Sequence, residues 1–230
     1  MPDAYTLCQP CWAELHLISG AVCDGCARPL PVAVDLAAGW AADRTNERLH
    51  CDECAGSLFG WRRVRAAAFY EGSARSLVLA LKHGDRPDLA KPLARWMARA
   101  GQAMIADADL IVPIPLHWRR RVQRKTNQAA ELSRSIARIA KIGHGAGVLR
   151  RSVSTKSLGH LDPQSRRRVI DGVFTLAADI SGKRIVMVDD VMTSGATLTE
   201  AARVLELGGA ARIDALVFAR AARPLSEQEI

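Results

Sequence analysis

Long apolar runs are missing from this chain of 230 residues. None approaches the roughly 18 residues that a membrane-spanning helix needs. One of the longer runs, Leu110 to Leu116, contains two prolines. The first residues carry acids and lack both a basic segment and a long apolar segment, which argues against a signal peptide. We therefore expect no membrane insertion and a cytoplasmic address.

Acidic residues are scarce between positions 116 and 170. Fourteen lysines and arginines face only Glu131 and Asp162 there, a net charge of +12. Residues 1–60, in contrast, carry eight acids and three arginines, a net charge of −5. The concentration of positive charge favours an anionic partner, either a phosphorylated small molecule or nucleic acid. A solvated basic face without a partner is the alternative.

Aromatic residues make up only 5% of the chain, and Trp118 is the only one in the basic stretch. Proteins that bind single-stranded nucleic acid combine positive charge with aromatic side chains on which the bases stack. The charge pattern is therefore compatible with single-stranded DNA as one partner, whereas the scarcity of aromatic residues in that stretch counts against it.

Cysteine is absent after position 54, and the six cysteines form three Cys-x-x-Cys pairs. Two thiolates at this spacing can bind one tetrahedral metal, and two such pairs complete a structural zinc site. Redox chemistry is the competing interpretation, but no βαβ pattern surrounds the pairs. Cys8 and Cys11, combined with the pair at 23 and 26, are the second choice of ligands. The preferred set is Cys23, Cys26, Cys51 and Cys54.

From residue 61 onward, apolar segments of strand length and helix length alternate. This alternation predicts an α/β domain over residues 61–230, preceded by a zinc-ribbon segment over residues 1–60. We expect a mostly parallel sheet with helices on both faces. The predicted strands are Ala66–Tyr70, Asp109–Ile114, Gly147–Leu149, Lys183–Val188 and Ile213–Ala219. The predicted helices are Ala74–Lys82, Leu89–Ile105, Thr126–Ile142, Pro163–Ile170 and Gly195–Leu207.

The predicted helix Thr126–Ile142 is amphipathic. Its apolar stripe consists of Ala129, Leu132, Ile136 and Ile139, and its charged residues lie elsewhere. We expect this stripe to face the core.

The sharpest motif follows the predicted strand Lys183–Val188. Two carboxylates, Asp189 and Asp190, end the apolar run, and a loop with hydroxyls and a glycine then opens a helix. Such a loop can hold a phosphate with its backbone N–H groups, and the adjacent carboxylates suit ribose hydroxyls, directly or through Mg²⁺. An N-capped helix with two acids at its positive end is the structural alternative. The loop consists of Val191, Met192, Thr193, Ser194, Gly195, Ala196 and Thr197.

This motif closely resembles the phosphoribosyl pyrophosphate (PRPP) signature of type I phosphoribosyltransferases. The resemblance implies that Asp189 and Asp190 contact the ribose and that Thr193 to Thr197 hold the 5′-phosphate. It also implies the type I phosphoribosyltransferase fold, with Mg²⁺ bound together with PRPP.

Further motifs extend the resemblance over nearly the whole chain. The Cys-x-x-Cys segment, Leu81-Lys82-His83-Gly84, Val112-Pro113-Ile114-Pro115-Leu116, Asn127-Gln128 and the PRPP motif occur in the order typical of the ComF family. The family is linked to competence and DNA uptake. Its members are often labelled amidophosphoribosyltransferases, but glutamine-dependent forms need an N-terminal nucleophilic cysteine and a glutaminase domain. Here Met1-Pro2 opens the chain, so we expect no such activity.

Transfer of the phosphoribosyl group would require neutralisation of the departing pyrophosphate. The turn that follows the strand Asp109–Ile114 would bind this group. The same residues have simpler interpretations, because a lysine can complement a helix C-terminus and prolines can end a strand. Candidates for pyrophosphate binding are Lys82, Pro113, Ile114, Pro115 and Arg119.

Three functional hypotheses follow. The first is a PRPP-binding protein of the ComF type that handles DNA during competence, a homodimer being one arrangement. The second is an active phosphoribosyltransferase that acts on a nucleobase or an amine. The third is a nucleic-acid-binding protein without enzymatic activity. We favour the first because the acid pair and the phosphate loop are both intact, and the sequence leaves open whether turnover occurs.

Overall fold

The computed structural model describes residues 7–30, 48–83, 86–116, 127–151 and 172–221. The predicted helix Pro163–Ile170 and the candidate Arg119 lie outside these ranges. Seven strands are present in the described part of the chain: β1 (Val64–Phe69), β2 (Leu110–Pro113), β3 (Gly143–His144), β4 (Leu149–Arg151), β5 (Phe174–Leu176), β6 (Arg184–Met192) and β7 (Arg212–Arg220). The helices there are α1 (Gln9–Ala13), α2 (Gly72–His83), α3 (Ala90–Ala100), α4 (Gln102–Ile105), α5 (Gln128–Ala140) and α6 (Ala196–Leu207).

Five strands form one sheet in the order β1-β7-β6-β2-β3, and every pair in it is parallel. The remaining two, β4 and β5, form a small antiparallel pair. Because crossover helices cover a parallel sheet, its central strands are apolar on both faces. In β6, Val186 and Val188 pack on the side of α2, α3 and α5, and Ile185 and Met187 pack on the side of α6. The expected parallel sheet with helices on both faces is confirmed.

Glycine divides a helix that the sequence predicts as one element, Leu89–Ile105. A 3₁₀ turn over Pro87–Leu89 precedes α3, and α3 ends where α4 begins, at Gly101. A Cβ atom at Gly101 would lie 3.0 Å from the side chain of Leu216 in β7. The absence of a side chain therefore lets the chain bend close to the sheet before it enters β2.

Two other local predictions need correction. The strand predicted at Gly147–Leu149 begins only at Leu149, because a turn precedes it. Ile139 is 49% exposed, whereas Ala137 is buried. The buried face of α5 therefore lies over Leu132, Ile136 and Ala137, and the predicted stripe is wrong at its last position.

No helix in the described ranges is both long enough and apolar enough to cross a membrane.

Helix α6 offers a test of the core through two leucines of unequal burial. Leu205 is fully buried, and Leu207 is 76% exposed. We expect Leu205→Ala to lower the free energy of unfolding by about 2–5 kcal/mol, because it removes packed methyl groups and leaves a cavity. The matched change Leu207→Ala should cost less than about 0.5 kcal/mol. Urea denaturation measures both, and equal losses would contradict this packing.

Candidate functional site

The predicted acid pair lies at the carboxyl edge of the sheet, between β6 and β2. The chain leaves β2 through α5 toward β3, and it leaves β6 through α6 toward β7 in the opposite direction. Open α/β sheets bind ligands at such a switch point, because the two connections separate and leave a crevice. The crevice between β2 and β6 is therefore the first place to look for a ligand site.

β6 continues beyond the end of β2, although the sequence places the end of this strand at Val188. The last link between them is the N–H of Ile114, which donates to the carbonyl of Val188 (2.9 Å). Asp189 and Asp190 belong to the part of β6 that continues alone on this side, while β7 accompanies it as far as Met192. The two carboxylates thus lie within the strand and beside the crevice.

Pro113 is the last residue of β2, and Pro115 lies in the turn that follows. Alternate backbone groups of a strand point to opposite neighbours, so the backbone of Ile114 points to β6 and that of Pro113 points to the β3 side. Proline offers no N–H on that side, and the ladder to β3 ends at Ile111.

Neighbouring residues of a strand project to opposite faces, so the two acids have different surroundings. Asp190 forms an ion pair with Lys82 at the end of α2, with 2.9 Å between Nζ and Oδ2. Both side chains are largely buried. Asp189 Oδ1 accepts a hydrogen bond from the N–H of Asp190 (2.8 Å). Lys82, a candidate for binding pyrophosphate, therefore lies against the acid pair.

The pKa of Asp189 is raised to about 7. Removal of its carboxylate from water is the main cause, and the negative charge of Asp190 adds to it. Lys82 and Arg151 act in the opposite direction. A carboxylate in this position favours a cation or a hydrogen-bond donor as its ligand.

Asn127 and Gln128, a motif to which the sequence assigned no role, hold the two sides of the crevice together. The Asn127 amide donates to the carbonyl of Ile114 (3.3 Å), and the Gln128 amide donates to the carbonyl of Leu81 (3.4 Å). The first contact fixes the turn after β2, and the second fixes the end of α2 beside Lys82. These two residues therefore position groups that line the crevice.

The loop after β6 turns sharply into α6. Gly195 has φ +76°, a value that favours glycine, and its carbonyl accepts the N–H of Thr199 (2.9 Å). The first N–H groups of α6 have no partners within the helix, which is the arrangement that binds phosphate. Thr193 is exposed and Ser194 is half-buried. Other members of the predicted set, Val191, Met192, Ala196 and Thr197, are half-buried or buried.

Four cysteines gather in a buried cluster. The sulfur atoms of Cys23, Cys26, Cys51 and Cys54 all lie within 4.8 Å of one another. The Sγ atoms of Cys26 and Cys51 are 3.7 Å apart, close to the edge of about 3.8 Å expected for a tetrahedron with metal–sulfur distances of about 2.3 Å. Burial raises the pKa of the Cys26 and Cys54 thiols, a cost that a bound cation would offset. The four cysteines could therefore hold a zinc ion.

The second-choice pair lies elsewhere. Cys8 and Cys11 are outside this cluster and more exposed than its members.

Hydrogen bonds fasten the cysteine cluster to the sheet. Asp24 accepts from the N–H of Leu49 (2.9 Å) and from Arg65 in β1 (2.7 Å). Arg220, buried at the end of β7, donates to the carbonyl of Cys26. The cysteines also share one apolar core with strands β6 and β7.

Two aromatic rings connect this cluster with the loop after β6. Gly25 lies against both the ring of Phe59 and the Cβ atom of Cys54, and the ring centroid of Phe59 is 5.3 Å from that of Trp61. Trp61 is 3% exposed, and its ring would lie 3.4 Å from a Cβ atom at Gly195. The start of α6 is therefore supported by the residues that surround the cysteines, a contact that the sequence did not reveal.

Known proteins resemble this chain in sequence. The family model "Phosphoribosyl transferase domain" matches residues 110–229. DNA utilization protein YhgH of Salmonella typhimurium is 30% identical over 93% of this chain and 96% of its own length. Competence protein F of Haemophilus influenzae is 25% identical over the same shares of the two chains. The solved adenine phosphoribosyltransferase of Leishmania donovani is 16% identical, with a TM-score of 0.39 over 66% of this chain and 71% of that one.

The family match contains the β6 motif, and the relatives extend over the cysteine cluster as well. This chain therefore belongs to the phosphoribosyl transferase domain family and, together with YhgH and competence protein F, to the ComF family.

Proposed function

We propose that the protein binds PRPP with Mg²⁺ in the crevice between β6 and β2 and takes part in the handling of DNA. The observation that carries the proposal is the meeting of an acid pair, a lysine and a phosphate-type loop at one switch point of the sheet. The names of the two relatives, which refer to DNA utilization and competence, support the role in DNA handling. The positive charge of residues 116–170 is in keeping with both PRPP binding and DNA handling.

Each group of the crevice has a role in this proposal. The carboxylates of Asp189 and Asp190 accept hydrogen bonds from the ribose hydroxyls, and the N–H groups at the start of α6 hold the 5′-phosphate. Carboxylate oxygens fit Mg²⁺, which would neutralise the pyrophosphate group when bound with PRPP. Lys82 adds a positive charge beside the acids. The turn at Pro113–Pro115 forms the opposite wall.

Removal of one carboxylate charge tests the site. We expect Asp189→Asn and Asp190→Asn each to weaken the binding of Mg²⁺–PRPP by about tenfold to a hundredfold, because a hydrogen bond to a charged group contributes about 1.5–3 kcal/mol. Calorimetric titration of PRPP in the presence of Mg²⁺, at a pH above the pKa of Asp189 of about 7, measures the affinity.

The exposed change Asp179→Asn removes the same charge outside the crevice and serves as the matched control. Unchanged affinity in both crevice variants would refute the site.

A pyrophosphate-release assay with nucleobases and amines on the same samples separates a binding protein from an active transferase. Release by the wild-type protein, lost in the crevice variants, would establish turnover.

The raised pKa of Asp189 has a consequence for stability. The folded protein holds this proton up to about pH 7, whereas the unfolded chain releases it near the ordinary value of 3.8. Between these two pH values the folded protein binds one more proton than the unfolded chain. The contribution of Asp189 to the free energy of unfolding therefore falls as pH rises through this range. We expect Asp189→Asn to become progressively more stable relative to the wild type from about pH 4 to about pH 7, and the gap to level off above that. Thermal unfolding of both proteins at several pH values measures this difference in stability. A difference that does not change with pH would contradict the raised pKa of Asp189.

We further propose that the cysteine cluster holds one structural zinc ion. Metal analysis should give about one zinc per chain. Cys23→Ser should lose the metal and lower the melting temperature, because the cluster shares its core with the sheet. Cys8→Ser is the matched control and should retain the metal. Zinc retained in Cys23→Ser would contradict the proposed ligand set.

A further inference from the structure

A groove lies on the flank of the sheet, away from the crevice. β1 is an edge strand, and residues 16–18 run antiparallel beside it: Ile18 N–H donates to the carbonyl of Ala67 (3.0 Å), and Phe69 N–H donates to that of His16 (3.0 Å). Between this segment and α3, the surface encloses about 450 Å³. That volume lies within the range of about 300–1,000 Å³ typical of ligand sites.

Two tryptophans from distant parts of the chain line this groove. Trp12 of α1 and Trp96 of α3 have ring centroids 6.1 Å apart, with an angle of 54° between the planes. Trp12 is 52% exposed, and Leu17, which also lines the groove, is 40% exposed. The groove therefore presents broad, water-accessible apolar surface at an aromatic pair.

The charge of the groove is positive. Among the residues that the structure describes, its lining contains Arg65 and Arg99 and no acidic residue. Arg65 is bound to Asp24. Arg99 is exposed, and no hydrogen bond or ion pair joins its side chain to another residue of the described ranges. Lys91, Arg95 and Arg99 follow one another at intervals of four along α3, a helix without acids. A polyanion that follows α3 would meet this row of cations.

Aromatic faces next to cations are the features that bind single-stranded nucleic acid. Unpaired bases stack on the rings, and lysines and arginines attract the phosphates. A duplex hides the faces of its bases, and a folded protein partner offers no row of phosphates. Single-stranded nucleic acid, with its accessible bases and its negatively charged phosphates, therefore matches the groove.

We propose that this groove binds single-stranded DNA, with a base stacked at Trp12 and Trp96 and the backbone phosphates beside Arg99. The inference rests on the DNA-handling half of the proposed function. β7 separates β1 from β6 in the sheet, so the groove and the PRPP crevice are different sites. The scarcity of aromatic residues in the basic stretch is thus no obstacle, because the tryptophans come from elsewhere in the chain.

Fluorescence anisotropy with a labelled oligothymidylate of about 20 nucleotides tests the groove in the full-length, zinc-loaded protein. Trp12→Leu keeps an apolar side chain but removes the ring, and we expect about tenfold weaker binding, the loss of one base stack. Trp12→Phe keeps a ring and should lose less than about threefold. Arg99→Ala should weaken binding about tenfold.

Arg75→Ala is the control for charge, since Arg75 is an exposed arginine on helix α2 that lies outside both the basic stretch and the lining of the groove. We expect this variant to change the affinity for the oligonucleotide by less than about threefold, because only the net charge of the protein changes. Equal losses in Arg99→Ala and Arg75→Ala, together with no loss in Trp12→Leu, would overturn the groove. Equal affinity for the annealed duplex would overturn it as well, since stacked bases in a duplex cannot reach the rings.

PRPP titration of the same variants separates the two proposals. The groove variants should bind PRPP like the wild type, and Asp189→Asn should bind the oligonucleotide like the wild type. If the wild-type protein binds no oligonucleotide at all, the DNA-handling half of the proposed function fails together with the groove. If it binds but the groove variants bind equally well, only the groove fails.

Discussion

The crevice begins where the pairing of β2 with β6 ends, at the backbone hydrogen bond from the N–H of Ile114 to the carbonyl of Val188. Up to this bond β2 and β6 are paired, and their side chains belong to the core. Beyond it β6 continues with β7 alone, and this part of β6 begins with the two acids. If β2 were longer, the backbone of Asp190 would pair with it and the open side of β6 would close. The unequal lengths of two neighbouring strands therefore create the site.

The surroundings of the crevice are held by contacts from every side. Asn127 and Gln128 fix the turn after β2 and the end of α2. Trp61 supports the start of α6 from the side of the cysteine cluster. A metal in that cluster would thus stabilise the same packed region from which the phosphate loop begins. This arrangement gives the cysteine segment a structural purpose within the α/β core.

Much of this could be predicted from the sequence, because the decisive signals are local. An apolar run followed by acids and a glycine placed the motif at the sheet edge, and the repeated Cys-x-x-Cys spacing identified the four cysteines that the fold gathers. The predicted end of β6 was wrong, since adjacent acids resemble a strand terminus although Met192 is buried and β7 still pairs with it. Ile139 was assigned to the core because helical periodicity does not show where the neighbouring elements end.

The contacts that local patterns could not reveal are the long-range ones. The pairing of Lys82 with Asp190 joins the end of α2 to a strand more than a hundred residues later. The meeting of Trp12 with Trp96 likewise depends on how the N-terminal segment follows the edge of β1. Parallel topology explains why the crevice and the groove can coexist on one sheet. It collects the strand ends at one edge, where the acids lie, and leaves an edge strand at the flank, where an added segment and α3 enclose a groove. One sheet thus provides two separate places, for which we propose a small phosphorylated ligand at the carboxyl edge and an extended polyanion at the flank.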